Sequence, residues 1–167
     1  MISIVPQALT QETFAPYGLV SGLTAAGSLL IEGAFDATED AQKPVIQIVK
    51  IESPQKTILI KQLEAHPFSA QTFLALDMAP SLIVVCDWKG TEGPDLATLK
   101  AFIAQPDQIV TYRRGVLHHK ITPRAPLATF AMAMRQTDRG DDTVLYALGE
   151  PVSIRSISLE SSLLPSS

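Results

Sequence analysis

The chain has 167 residues, 46% hydrophobic, 18% charged and 6% aromatic, and its 13 Lys and Arg against 17 Asp and Glu leave a net charge of -4. That is the size of one domain, 1–167, and the acidic balance argues against a nucleic-acid module, which would carry a basic face. Twelve prolines disfavour long helices, and one cysteine, Cys86, excludes an intrachain disulfide framework or a Cys-rich zinc site.

Met1–Thr10 lacks the basic and long apolar regions of a secretory signal, and no apolar run nears the ~20 residues that span a bilayer. The expectation is therefore a cytoplasmic domain with no membrane partner. Ile2 to Val5 is a short apolar run stopped by Pro6. Thr10 then caps a brief helical turn through Glu12 and Phe14 that ends before Pro16. Gly22 to Pro44 carries small and acidic residues and reads as loop or irregular edge strand.

From Val45 the pattern turns to β. Val45 to Ile51 is rich in β-branched residues and is closed by Ser53-Pro54. In Thr57 to His66, alternation puts Ile58, Ile60, Gln62, Glu64 and His66 on one face and Leu59, Lys61, Leu63 and Ala65 on the other. Further strands are expected at Thr72–Leu74, Leu82–Cys86, Ile109–Tyr112, Leu127–Met134 and Val152–Leu159. A second helix is expected where Asp95 resembles an N-cap and Leu96, Leu99, Phe102 and Ile103 fall at helical spacing. Ser161 to Ser167 is expected to fray. Strands recurring every 10–20 residues between Pro, Gly or Asp predict a mainly β antiparallel barrel or sandwich with one or two short helices.

There is no Gly-rich phosphate loop, no dinucleotide fingerprint and no G-x-S-x-G elbow. Cys86 sits in an apolar run and reads as core packing, since reactive thiolates need an open, electropositive setting. The informative polar residues are the three histidines. Glu64 and His66 share a strand face, and the turn at Pro67 can return Gln71 toward them. His118 and His119 are adjacent, so at most one can join His66 inside a barrel. A histidine at a strand end is often merely structural, and Arg113-Arg114 could be a solvated turn.

The string Glu64-x-His66-x4-Gln71 followed by Gly115-x2-His118 resembles the two motifs of the cupin barrel. Phe14–Gly18, Leu63–Phe73, Pro94–Ile103 and Tyr112–His119 together resemble one branch of it, the ureidoglycolate lyase family (formerly ureidoglycolate hydrolase). The resemblance runs from Phe14 to Arg135 and implies a jelly-roll type cupin fold, a homodimer and a carbon–nitrogen lyase of allantoin and purine breakdown that splits ureidoglycolate into glyoxylate and urea. His66 and His118 would then be catalytic, exchanging protons between the hydroxyl and the ureido nitrogen. Glu64 would orient an imidazole, Gln71 would bind the ureido carbonyl, and Arg113 or Arg114 would hold the substrate carboxylate, with His119 near the site.

This chain departs from the family at Ala65, where Arg is usual, at Leu117, where Trp is usual, and at Lys120, where Pro is usual. The family's Asn-x-Gly segment has no match in Ile31 to Lys43, and its C-terminal Asp-Arg corresponds to Met134-Arg135 or Asp138-Arg139. An Arg lost at position 65 would remove a carboxylate partner, and a Trp lost at 117 an apolar wall, so the changes point to a divergent member with a shifted substrate. Another small carboxylate, or a cupin that binds a metabolite without turnover, are the alternative readings. Cupin metal centres commonly use three His and a Glu, whereas here Glu64 and Gln71 replace two of them. No cofactor is required on this reading, although Glu64, His66 and His118 could bind a divalent metal in an open site.

Overall fold

The run Leu82–Cys86 is buried on both faces, and the architecture follows from that. Leu82, Val84 and Cys86 enter one apolar cluster with Ile60, Leu63 and Leu117, while Ile83 and Val85 enter another with Phe14, Phe102 and Phe130. A strand covered on both sides reads as continuous hydrophobicity, and it must lie in the middle of a layered β structure. The computed structural model describes residues 2–22, 26–53, 57–140 and 142–155. The tail 161–167 and the last positions of the strand expected over Val152–Leu159 lie outside the described residues.

In chain order the elements are β1 (Ser3–Ile4), β2 (Gln7–Ala8), α1 (Gln11–Phe14), β3 (Gly18–Gly22), β4 (Lys43–Glu52), β5 (Ile58–Ala65) and β6 (Gln71–Ala75). There follow β7 (Ser81–Trp88), β8 (Pro94–Ala104), β9 (Gln108–Tyr112), β10 (Leu117–His118), β11 (Thr122–Pro123), β12 (Leu127–Gln136) and β13 (Val144–Ile154). One sheet runs β1-β13-β5-β10-β7-β8-β2, with β11 also on β7, and the other runs β3-β9-β6-β12-β4. The two curl toward each other as the mainly β barrel that the sequence leads one to expect. Pairing is antiparallel except where β1 meets β13 and β2 meets β8.

The short helix forms where Thr10 predicts it: its side chain accepts from the Thr13 amide at 3.2 Å, and Phe14 is fully buried. Phe14 plugs the barrel, edge-on to Phe102 at 6.1 Å and to Tyr112 at 5.8 Å. Tilted and edge-on aromatic contacts add to the burial of the rings themselves.

The helix expected over Asp95–Ile103 is instead β8. Leu99, Ala101 and Ile103 pack on the outer cluster while Phe102 and Ala104 face the inner one, a period of two. Burial on both faces fills both registers with apolar residues, which mimics a helical stripe. Asp95 does not cap a helix. Its carboxylate accepts from the Ala97 amide at 3.2 Å, beside the register shift of β7 between Val85 and Asp87.

The strict alternation expected along β5 also breaks. Ile58 and Ile60 share the outer cluster with Leu63 and Ala65, so the strand changes parity between Ile60 and Leu63. The partner strand β13 is irregular at the same place, between Ala147 and Val152, and a bulge there resets the faces. Glu64 thus stays on the inner side.

Gly18 faces a close approach: a Cβ built there would lie 1.8 Å from the Thr111 carbonyl oxygen of the paired strand β9. Gly18→Ala is expected to lower unfolding free energy by more than about 3 kcal/mol, since backbone rather than a flexible side chain would have to move. Urea denaturation followed by circular dichroism measures it.

Candidate active site

The site begins with a backbone pairing. His118 of β10 lies opposite Glu64 of β5 on one side and Val85 of β7 on the other, so all three point to the same face of the sheet. That face looks across the barrel to the second sheet, where Gln71 is paired with Tyr112. His118 bridges the two layers: its Nε2 is 3.3 Å from Glu64 Oε1 and 3.2 Å from Gln71 Oε1, and its ring stacks on Tyr112 at 4.1 Å.

His66 follows the end of β5 and brings its ring within 5.3 Å of that of His118, with Nε2 3.8 Å from Glu64 Oε1. Its Nδ1 is 3.4 Å from the hydroxyl of Thr143. Thr143 is delivered by a turn in which the buried Asp142 carboxylate accepts from the Thr137 amide at 2.7 Å and from the Thr137 hydroxyl. The turn that carries His118 is tied to His66 as well. Gly115, at φ +73°, donates its amide to the His66 carbonyl at 2.9 Å, and its own carbonyl accepts from the Trp88 indole at 2.8 Å.

Hydrogen bonding fixes one tautomer. His118 Nδ1 lies 2.9 Å from the Val116 carbonyl, an acceptor only, so Nδ1 carries hydrogen. Its Nε2 then faces the oxygens of Glu64 and Gln71, and the buried His66 Nε2 has no hydrogen-bond partner among the described residues. Glu64, His66 and His118 each offer an atom within 4.8 Å of the others. Such a convergence of electron pairs is stable only with something electropositive among them, a proton or a metal ion. The donor set of two imidazoles and a carboxylate therefore fits a divalent cation.

Burial by itself would raise the Glu64 carboxyl, but the contacts with His118 and His66 outweigh it and hold the group well below the usual carboxylate range. Burial, together with the Glu64 charge, pushes the Tyr112 phenol far up, and its hydroxyl has no hydrogen-bond partner.

The arginines lie elsewhere. Arg113 is exposed and donates to the Pro16 carbonyl at 3.3 Å, while Arg114 is ion-paired with Asp36 at 3.1 Å on the surface. His119 donates from Nδ1 to the Gln62 carbonyl at 3.2 Å, and burial lowers its pKa. It lines a cavity of about 700 Å³ that Glu64 also lines, with other residues from the end of β4 and from β5. Ala65 and Leu117, the two departures expected to reshape the site, sit in the outer apolar cluster, facing away from Glu64 and His118. Tyr112 and Thr143 are contacts that the sequence reading did not assign. The Tyr112–His119 string held the first in view, while nothing in the local pattern marks the second.

Residues 1–155 match the family model described as ureidoglycolate lyase. A protein of Agrobacterium fabrum provisionally named a ureidoglycolate lyase is 50% identical over 156 residues, covering 92% of this chain and 96% of its own. The ureidoglycolate lyase of Mesorhizobium japonicum is 31% identical over 152 residues, covering 85% and 89% of the two chains. A second Agrobacterium fabrum protein, named ureidoglycolate lyase, is 32% identical over 161 residues, covering 90% and 95%.

A carboxyl held below its ordinary range contributes stability that is complete above that range and is lost as pH falls through it. Glu64→Gln is therefore expected to cost roughly 1–3 kcal/mol at pH 7. That deficit should shrink steadily as wild type and variant are compared by urea titration at pH values descending below 4.5.

Proposed function

The chain belongs to the ureidoglycolate lyase family, and from that premise we propose that it cleaves ureidoglycolate to glyoxylate and urea, as a homodimer in the cytoplasmic breakdown of allantoin. The observation that carries this reading is the meeting of His66, His118 and Glu64 from separate stretches of chain inside the barrel. Ureidoglycolate is a hemiaminal, so its cleavage needs a proton taken from the hydroxyl and a proton given to the ureido nitrogen. The hydroxyl O–H breaks as the carbonyl forms, and the C–N electron pair leaves on the nitrogen that receives the proton.

His66 Nε2, buried and without a hydrogen-bond partner, is the acceptor for the hydroxyl proton. His118, with Nδ1 committed to Val116, delivers a proton from Nε2, where the Glu64 carboxylate steadies the imidazolium. Gln71 bonds the ureido group from the opposite sheet, and Thr143 holds the His66 ring. Were a divalent cation bound by Glu64, His66 and His118, it would supply Lewis-acid polarisation of the substrate, and the imidazoles would serve as ligands.

The homodimer is supported by β4, a strand of 10 residues at a sheet edge with Ile46 and Ile48 exposed. Long apolar edges invite pairing with another chain. Among the described residues no helix is long and apolar enough to cross a membrane.

His118→Asn is expected to reduce glyoxylate release from ureidoglycolate by at least about a hundredfold, with the circular dichroism spectrum unchanged. Undiminished release from the folded variant would remove His118 from the chemistry. The same assay after exhaustive chelation separates the two roles of the imidazoles. Activity that survives supports proton transfer, and activity that is lost and then restored by a divalent ion assigns them to ligation.

A further inference from the structure

The arginines expected to hold the substrate carboxylate are engaged with Pro16 and Asp36, which leaves that charge to be met elsewhere. The cavity beside the triad offers the alternative. Its volume, about 700 Å³, is in the range of small-molecule sites. Glu64 is part of its lining, and the Glu64 Oε1 lies 3.3 Å from His118 Nε2, so the cavity adjoins the triad through that carboxylate. Along its walls stand Lys61 and Lys120, and neither ammonium has a hydrogen-bond or ion-pair partner among the described residues. Burial lowers the pKa of His119, and Glu52 is the other carboxylate of the lining.

The strands explain why the two lysines share this space. Lys61 lies on β5 next to Gln62, whose carbonyl accepts from His119, and Lys120 is the next residue along. Leu59, Lys61 and Gln62 of β5 line the cavity, while Ile60 lies in the outer cluster. A cavity with two uncommitted cations on its walls, adjoining the triad at Glu64, is arranged for a small carboxylate.

We propose that Lys61 and Lys120 bind the carboxylate of the substrate in this cavity and set the specificity for small 2-hydroxy acids. The proposal rests on the reading of the site as a ureidoglycolate lyase for its kinetic arm only. Lysines act here as point charges, so electrostatics rather than a planar fork selects the ligand.

The test uses wild type, K61Q/K120Q and K61R/K120R. In K61Q/K120Q, KM for ureidoglycolate is expected to rise by about tenfold or more while kcat stays within about threefold, because the lost contact is made equally in ground and transition states. K61R/K120R is expected to recover most of KM. Calorimetry with oxalate as the probe is expected to show binding to wild type that weakens by a similar factor in K61Q/K120Q. An unchanged KM and unchanged oxalate affinity in K61Q/K120Q would overturn the assignment, as would a fall in kcat at constant KM. Oxalate that does not bind wild type would overturn it too. A wild type inert toward ureidoglycolate that still binds oxalate through the two lysines would sink the lyase reading while keeping this one.

Discussion

Glu64 and His118 are held across a strand pair, and everything chemical in the molecule depends on that register. A slip of one residue between β5 and β10 would present Leu117 to the barrel interior and bury an imidazole in the outer apolar cluster. The short strand β10 has only two residues, so it cannot set this register unaided. It is wedged between β5 and β7, and the turn before it is bonded through Gly115 to the carbonyl of His66. Packing on both faces then leaves the pairing no alternative.

The two apolar clusters divide the labour. The inner one, built on Phe14, Phe102 and Phe130, fixes the distance between the sheets and hence the reach of Gln71 to His118. The outer one, with Leu63, Leu82 and Leu117, stiffens the back of the sheet that carries the histidines. Ala65 and Leu117 therefore belong to the support behind the site and not to its lining. Lys120, by contrast, lies in the cavity wall.

The strands and their alternation were largely legible because a sheet with different faces writes a period of two into the sequence. Legibility failed where that contrast vanished. In β8, Ala101 to Ala104 are apolar on both registers, and in β5 the bulge opposite Ala147–Val152 displaces the phase. Glu64, His66, Gln71 and His118 stood out because polar residues are rare at strand positions expected to face inward. Thr143 did not, since its place beside His66 depends on the pairing of Val144 with Ala65, a contact between residues 79 positions apart. The separation of Arg113 and Arg114 from the triad was hidden for the same reason, because Asp36 reaches Arg114 from a distant loop.

Trp88 is the chain's one tryptophan, and its indole donates to the carbonyl of Gly115, the residue whose amide donates to His66. All indole emission from this protein thus originates at the Gly115 turn, with the ring packed edge-on to Tyr146 at 4.9 Å. A ligand that tightens or loosens the Gly115 turn changes the surroundings of that single fluorophore, so the fold contains its own label-free optical gauge of occupancy.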